Sequence, residues 1–139
     1  MADALTDILE WHVGREGALL PILHDVQASA GFISEEAIRN IASVLNLTRA
    51  EVHGVVSFYH DFKTAPDARP FIKLCRAEAC KARGVEAMVA GAEAAAGSRV
   101  KIETIYCLGL CSVGPAAMVG DQVYARLTTD KLAKLVAQS

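Results

Sequence analysis

Residues 71–84, FIKLCRAEACKARG, run from a short apolar segment into two cysteines five positions apart, and the 139-residue chain has only two others, Cys107 and Cys111. The chain ahead of this stretch has helical periodicity and no cysteine, whereas the chain beyond it alternates between strand and helix patterns. The segment therefore marks both a change of architecture and the start of the chemistry.

Moving outward towards the N-terminus, "KTAPDARP" (residues 63–70) holds two prolines among turn formers and reads as a linker. Ahead of it, every cue from residue 1 to about 63 is helical. "ALLPILHDVQASAG" places Leu19, Ile22, Leu23 and Val26 on one face, with Pro21 tolerable in the first turn and Gly31 as a stop. Ser34 is positioned to cap the next helix, with Glu35 and Glu36 in its first turn and Ala37, Ile38, Ile41, Val44 and Leu45 as its apolar stripe. Thr48 and Glu51 form the pattern of a capping box in front of "VHGVVSFYHDF". In that last helix Val52, Val55, Tyr59 and Phe62 fall on one stripe and Val56 and Phe58 off it, so it is expected to be covered from two directions. Gly54 within it costs about 1 kcal/mol against Ala, which points to close packing against the missing side chain.

Towards the C-terminus, "PFIKLC" reads as a strand, "VEAMVAGAEAAAG" as a helix with Val85, Met88, Val89 and Ala92 on one face, and "VKIETIYC" as an alternating strand. "AAMVGDQVYARL" reads as two short strands about a Gly-Asp turn, and Thr128 or Thr129 caps a final helix that buries Leu132, Leu135 and Val136. The expected class is α+β: a helical bundle over residues 1–65, then over residues 66–139 a small sheet with helices packed on it. The crossover between the first two strands is expected to be parallel and right-handed.

Composition narrows the function. A formal net charge of −2 with scattered Lys and Arg lacks the basic stripe that phosphate neutralisation needs, so nucleic acid is not an expected partner. No stretch approaches the roughly 20 apolar residues of a spanning helix, and the acidic start "MADALTDILEW" lacks a basic n-region, so direct membrane contact is not expected and a cytoplasmic location is. In such a reducing compartment, two close pairs of cysteines point to metal or redox chemistry rather than to disulfides.

The pairs are C-x4-C, Cys75 and Cys80, and C-x3-C, Cys107 and Cys111, with 26 residues between them. Each begins where a strand ends, so two neighbouring strand ends would bring four sulfurs together. Four thiolates suit Zn(II) in a closed structural site or a [2Fe–2S] cluster with one pair on each iron, and the spacing alone admits both. Lys73, Arg76, Lys81 and Arg83 around the first loop, with Gly84, Gly109 and Gly114 as points of close backbone approach, together modestly favour the cluster, whose oxidised core with four thiolates carries a charge of about −2, although each basic residue taken singly reads as solvated surface.

"CRAEACKARG" followed by "YCLGLCSVGPAAMV", with "AEVHGVVSFYHDF" ahead of both, resembles the thioredoxin-like [2Fe–2S] subunit family. That family includes the small iron–sulfur subunit of respiratory NADH:quinone oxidoreductase, the gamma subunit of soluble NAD-dependent formate dehydrogenases, and diaphorase subunits of NAD-reducing hydrogenases. The resemblance runs from about Leu19 to Val136. It implies a helical bundle followed by a thioredoxin-like domain, and a single [2Fe–2S] cluster held by Cys75, Cys80, Cys107 and Cys111. It further implies a non-catalytic electron-transfer role beside the FMN of an NADH-binding flavoprotein partner, in a complex with a larger catalytic subunit, and a helical half that helps to dock the partner. The short length and "CRAEAC" look most like the formate dehydrogenase gamma subunit, while Gly114 stands where the family commonly has Ala before the proline. A zinc-stabilised interaction module is the alternative.

Other chemistries are poorly supplied. His12, His24, His53 and His60 all lie in the helical half; His53 and His60 fall seven apart, and a metal site there would need Asp61 or Glu51 as well. The C-terminal half has no histidine to serve a nucleophilic cysteine, neither loop has the C-x-x-C spacing of a thioredoxin oxidoreductase, and no nucleotide-binding glycine motif appears.

Overall fold

The computed structural model describes residues 2–139. They form two compact units, one ending at Asp67 and the other spanning Ala68–Ser139.

The first unit contains α1 (Ala2–His12), α2 (Leu19–Ala30), α3 (Glu35–Leu45) and α4 (Arg49–Phe58). Their boundaries follow from caps. Gly31 ends α2 in the left-handed region at φ 82°, the Ala37 N–H donates to Ser34 Oγ at 3.0 Å, and Thr48 and Glu51 exchange the reciprocal bonds of a capping box. Ile22, Leu23, Ile33, Ile38, Ile41 and Val52 are fully buried between these helices. Each contributes roughly 1.5–3 kcal/mol by leaving water. Gln27 fastens the chain that leaves α4: its Nε2 donates to the Asp61 carbonyl and its Oε1 accepts from the Lys63 N–H, both at 2.6 Å. His12 is buried and lies 2.6 Å from Asp25 through Nε2, while its Nδ1 has no hydrogen-bond partner among the described residues.

α4 departs from the sequence expectation in its phase. The helix ends at Phe58, so Tyr59 and Phe62 no longer follow its period. Val52 and Val56 are its buried residues, Phe62 folds back into the core from the following turn, and Phe58 stands 74% exposed. Gly54 is not at a close contact either, since a Cβ there would meet nothing within 4 Å. Nothing in this unit explains that glycine.

The second unit contains β1 (Phe71–Cys75), α5 (Glu78–Ala82), α6 (Glu86–Ala96), β2 (Lys101–Ile105), β3 (Ala117–Val119), β4 (Gln122–Tyr124) and α7 (Thr129–Gln138), with a 3-10 turn at Cys111–Val113. The sheet order is β2-β1-β3-β4. β1 is parallel to β2, with Cys75 opposite Ile105, and antiparallel to β3, with Leu74 opposite Ala117. Being paired on both edges, β1 is a buried central strand, which is why FIKLC is nearly continuous in apolar character. Its Ile72 and Leu74 join Val85, Val100, Leu132 and Val136 in the core, and the Lys131 N–H donates to Thr128 Oγ1 to cap α7. Among the described residues no helix is long and apolar enough to cross a membrane.

Candidate metal centre

Because β1 and β2 run parallel, their carboxyl ends lie on the same edge of the sheet. Cys75 is the last residue of β1, and Cys107 comes two residues after the end of β2. The Cys107 N–H donates to Cys75 Sγ at 3.3 Å, a direct link between the two pairs. Cys107 adopts φ 80°, a left-handed conformation rare for a residue with a side chain. That turn aims its Sγ at two partners: the Gly109 N–H donates to it at 3.3 Å, and Cys111 Sγ lies 3.7 Å away. Gly109, itself at φ 75°, completes the curl of CLGLC.

Cys80 comes from α5, a five-residue helix that the sequence pattern does not disclose because it is too short to show a period. Both Cys75 and Cys80 are buried, whereas Cys107 and Cys111 are exposed. Gly114 explains how Cys80 is accommodated: a Cβ there would sit 3.0 Å from Cys80 Sγ and 3.3 Å from Arg83 Cδ. Of the glycines expected at close approaches, Gly114 alone is at one; Gly84 and Gly109 have open space and serve instead through positive φ.

The electrostatics divide the thiols. Burial pushes the Cys75 thiol up, but N–H groups of Ala77, Cys107 and Leu108 and the neighbouring Cys80 outweigh it, so Cys75 ionises below the ordinary thiol range. Burial and the adjoining Cys75 hold Cys80 above that range. Cys111 is raised by its hydrogen bond to Cys107 and by that neighbour's charge. Thiolate ligands must shed their protons, so binding metal here would release protons and favour neutral to alkaline pH.

Of the cations expected around the first loop, Arg76 is committed to a bidentate pair with Glu86, Nε to Oε1 at 2.9 Å and Nη2 to Oε2 at 2.7 Å. This ties the Cys75–Cys80 loop to the first turn of α6. Lys81 lies 3.6 Å from Glu78, and Lys73 lies over the Phe71 ring.

The donor set fits a binuclear core. Among the described residues no three Cys, His, Asp or Glu side chains converge where one ion could sit. The four sulfurs lie as two adjoining pairs, one inner and one outer, joined where the Cys107 N–H meets Cys75 Sγ, and two such pairs of thiolates would suit two irons with one pair each. The histidines form no such group: α4 ends before His60, so His53 and His60 do not share a helix face, and His24 packs its ring 5.0 Å from that of Phe62.

Comparison with known proteins shows the family. The model of the thioredoxin-like [2Fe–2S] ferredoxins matches residues 5–139, and the chain belongs to that family. It is 30% identical over 133 residues to NADP-reducing hydrogenase subunit HndA of Solidesulfovibrio fructosivorans, covering 89% of this chain and 78% of the relative. It is likewise 30% identical over 125 residues to NADH-quinone oxidoreductase subunit 2 of Thermus thermophilus, covering 84% and 69%. Among solved structures, an NAD+-reducing [NiFe]-hydrogenase in its H2-reduced state superposes with a TM-score of 0.70 at 25% identity over 86% of this chain. This chain spans only 22% of the length of that hydrogenase polypeptide.

Proposed function

We propose that this chain is the electron-transfer subunit of an NAD(P)-linked oxidoreductase complex, with one [2Fe–2S] cluster held by Cys75 and Cys80 on one side and Cys107 and Cys111 on the other. When bound, the cluster takes up or gives back single electrons, which allows an FMN on an NADH-binding partner to disperse the electron pair of a hydride. The observation that carries this reading is the direct contact of the two cysteine pairs at one sheet edge, where the Cys107 N–H meets Cys75 Sγ.

The protein's own groups supply placement and access. β1 and α5 fix the inner pair in a nearly water-free setting, and the N–H groups of Cys107 and Gly109 supply donors to thiolate sulfur, which raises a cluster's potential. The outer pair faces solvent beside the exposed Tyr106, so the short path to a partner leads out past CLGLC. The names of the relatives favour a hydrogenase or NADH-quinone oxidoreductase setting, while CRAEAC favours a soluble formate dehydrogenase; of these we propose the last as the parent complex.

Anaerobic purification tests the cluster. The expected product is reddish-brown, with equal iron and acid-labile sulfide and a paramagnetic resonance signal after reduction that Cys107→Ser removes. Colourless protein with stoichiometric zinc would establish the closed structural site instead. The parent complex is read from the genes adjoining this one: a molybdenum formate dehydrogenase subunit supports the proposal, and membrane proton-pumping subunits or a nickel hydrogenase overturn that part of it.

A further inference from the structure

The helical unit holds a cleft of about 640 Å3 that the metal centre does not use. α1 and α3 form its walls, and Val26 and Ala30 of α2 its floor. α1 packs mainly on α2 and α3 mainly on α4, while α1 and α3 touch each other only lightly, so a cleft opens between them. Leu5 and Leu9 line one wall and Ala37 the other, and at the rim Val13 and Val44 remain 51% and 42% exposed. The volume falls in the range of about 300–1,000 Å3 typical of ligand sites, but the polar residues of its lining, Thr6, Ser34, Asn40, Ser43, Glu10 and Glu36, include no cation to hold an anionic ligand. Small residues at Ala30 and Ala37 instead leave room for the backbone of another helix, which packs at about 8–10 Å between axes.

The rim is acidic. Glu10 and Glu36 face the cleft from opposite walls, and the lining contains no Lys, Arg or His. Glu36 is favoured locally, being in the first turn of α3. Glu10 is not, because it lies in the last turn of α1, where the negative end of the helix dipole disfavours a carboxylate. Neither carboxylate has a hydrogen bond or ion pair among the described residues. An apolar cleft with half-wet valines and two unmatched acids calls for an occupant that is apolar along one stripe and basic on its flanks.

We propose that this cleft receives an amphipathic helix of a partner protein, with its apolar stripe seated between α1 and α3 and Lys or Arg side chains facing Glu10 and Glu36. Recognition would read apolar anchors at i, i+3, i+4 and i+7 of the partner helix. The inference rests on the reading of this chain as a subunit of a larger complex, but not on its cluster.

The test uses the full cluster-loaded chain and two designed helical peptides that share one Leu/Ala stripe, one with Lys flanks and the other with Glu flanks. The Lys peptide is expected to bind at least tenfold more tightly and to perturb the amide resonances of Val13, Ala37 and Val44. Glu10→Lys with Glu36→Lys should reverse the preference, and Ala30→Trp, which fills the cleft from an exposed floor position, should weaken binding at least tenfold; Val44→Asp gives the same readout should the Trp variant unfold. Equal binding of the two peptides, perturbations confined to α4 around Phe58, or no saturable binding at millimolar peptide would each overturn the proposal. The cluster signal is recorded in the same samples, so failure of the cleft and failure of the electron-transfer reading are seen separately.

Discussion

The two cysteine pairs are built by opposite means. The inner pair, Cys75 and Cys80, is carried by regular elements, the central strand and a short helix, and is shut away from water. The outer pair, Cys107 and Cys111, is carried by a loop that needs a left-handed cysteine and a 3-10 turn to bring its sulfurs to 3.7 Å, and it lies open. The contrast shows how one site can be both anchored and reachable: the inner pair belongs to the hydrophobic core, and the outer pair lies at the surface.

Replacing cysteines one at a time is the strongest way to break this comparison. Cys75→Ser and Cys107→Ser should both lose the cluster, seen as loss of visible absorbance. In the cluster-free chain they should differ, because a hydroxyl at the buried Cys75 position costs about 1–3 kcal/mol in chemical denaturation, while Cys107→Ser stays within about 0.5 kcal/mol. Equal losses would mean that the inner pair is not part of the core.

Alkylation of the cluster-free chain by iodoacetamide sharpens the contrast. Cys107 and Cys111 should be labelled at least tenfold faster than Cys75 by peptide mass spectrometry, even though Cys75 is the thiol lowered by its N–H donors. Access should thus outweigh ionisation, and faster labelling of Cys75 would reverse that ranking.

A weaker effect concerns the Arg76–Glu86 clamp on the inner loop. Arg76 holds the Glu86 carboxyl below the usual carboxylate range. Its contribution is therefore fully present above the unfolded carboxylate value and is lost as the pH falls through the lowered folded value. Thermal melts of the native chain and Glu86→Gln should differ slightly near neutral pH, the pair being largely exposed, and converge in acid. A gap that persisted in acid would assign the effect to packing.

The smallest change is Gly114→Ala. The added methyl meets Cys80 Sγ at 3.0 Å, so the sulfur must give by a few tenths of an ångström. The cluster should be retained with a slightly altered resonance line shape, and an unchanged spectrum would mean that the inner loop yields freely.

Much of this is legible in the sequence wherever one residue type has a single local use. Ser34, Thr48 with Glu51, and Thr128 cap the helices they precede, and Gly31 ends α2, because caps depend on neighbours three or four positions away. The cysteine spacing and the strand patterns place both pairs at strand ends for the same reason. The features that escape depend on distant parts of the chain. A helical period carried past Phe58 puts Val56 off the buried stripe, but α4 stops at Phe58 and the Gln27 clamp takes over the path. The helix bearing Cys80 and the left-handed turn at Cys107 leave no periodic mark, since tertiary contacts impose them.

The backbone at position 107 has a consequence for engineering. With φ at 80°, glycine would sit there more comfortably than any residue bearing a Cβ, and the cysteine costs about 1–2 kcal/mol in backbone strain. A library of variants sorted only for heat resistance should therefore drift to glycine at this point, yielding a hardier polypeptide that has given up one of its sulfurs.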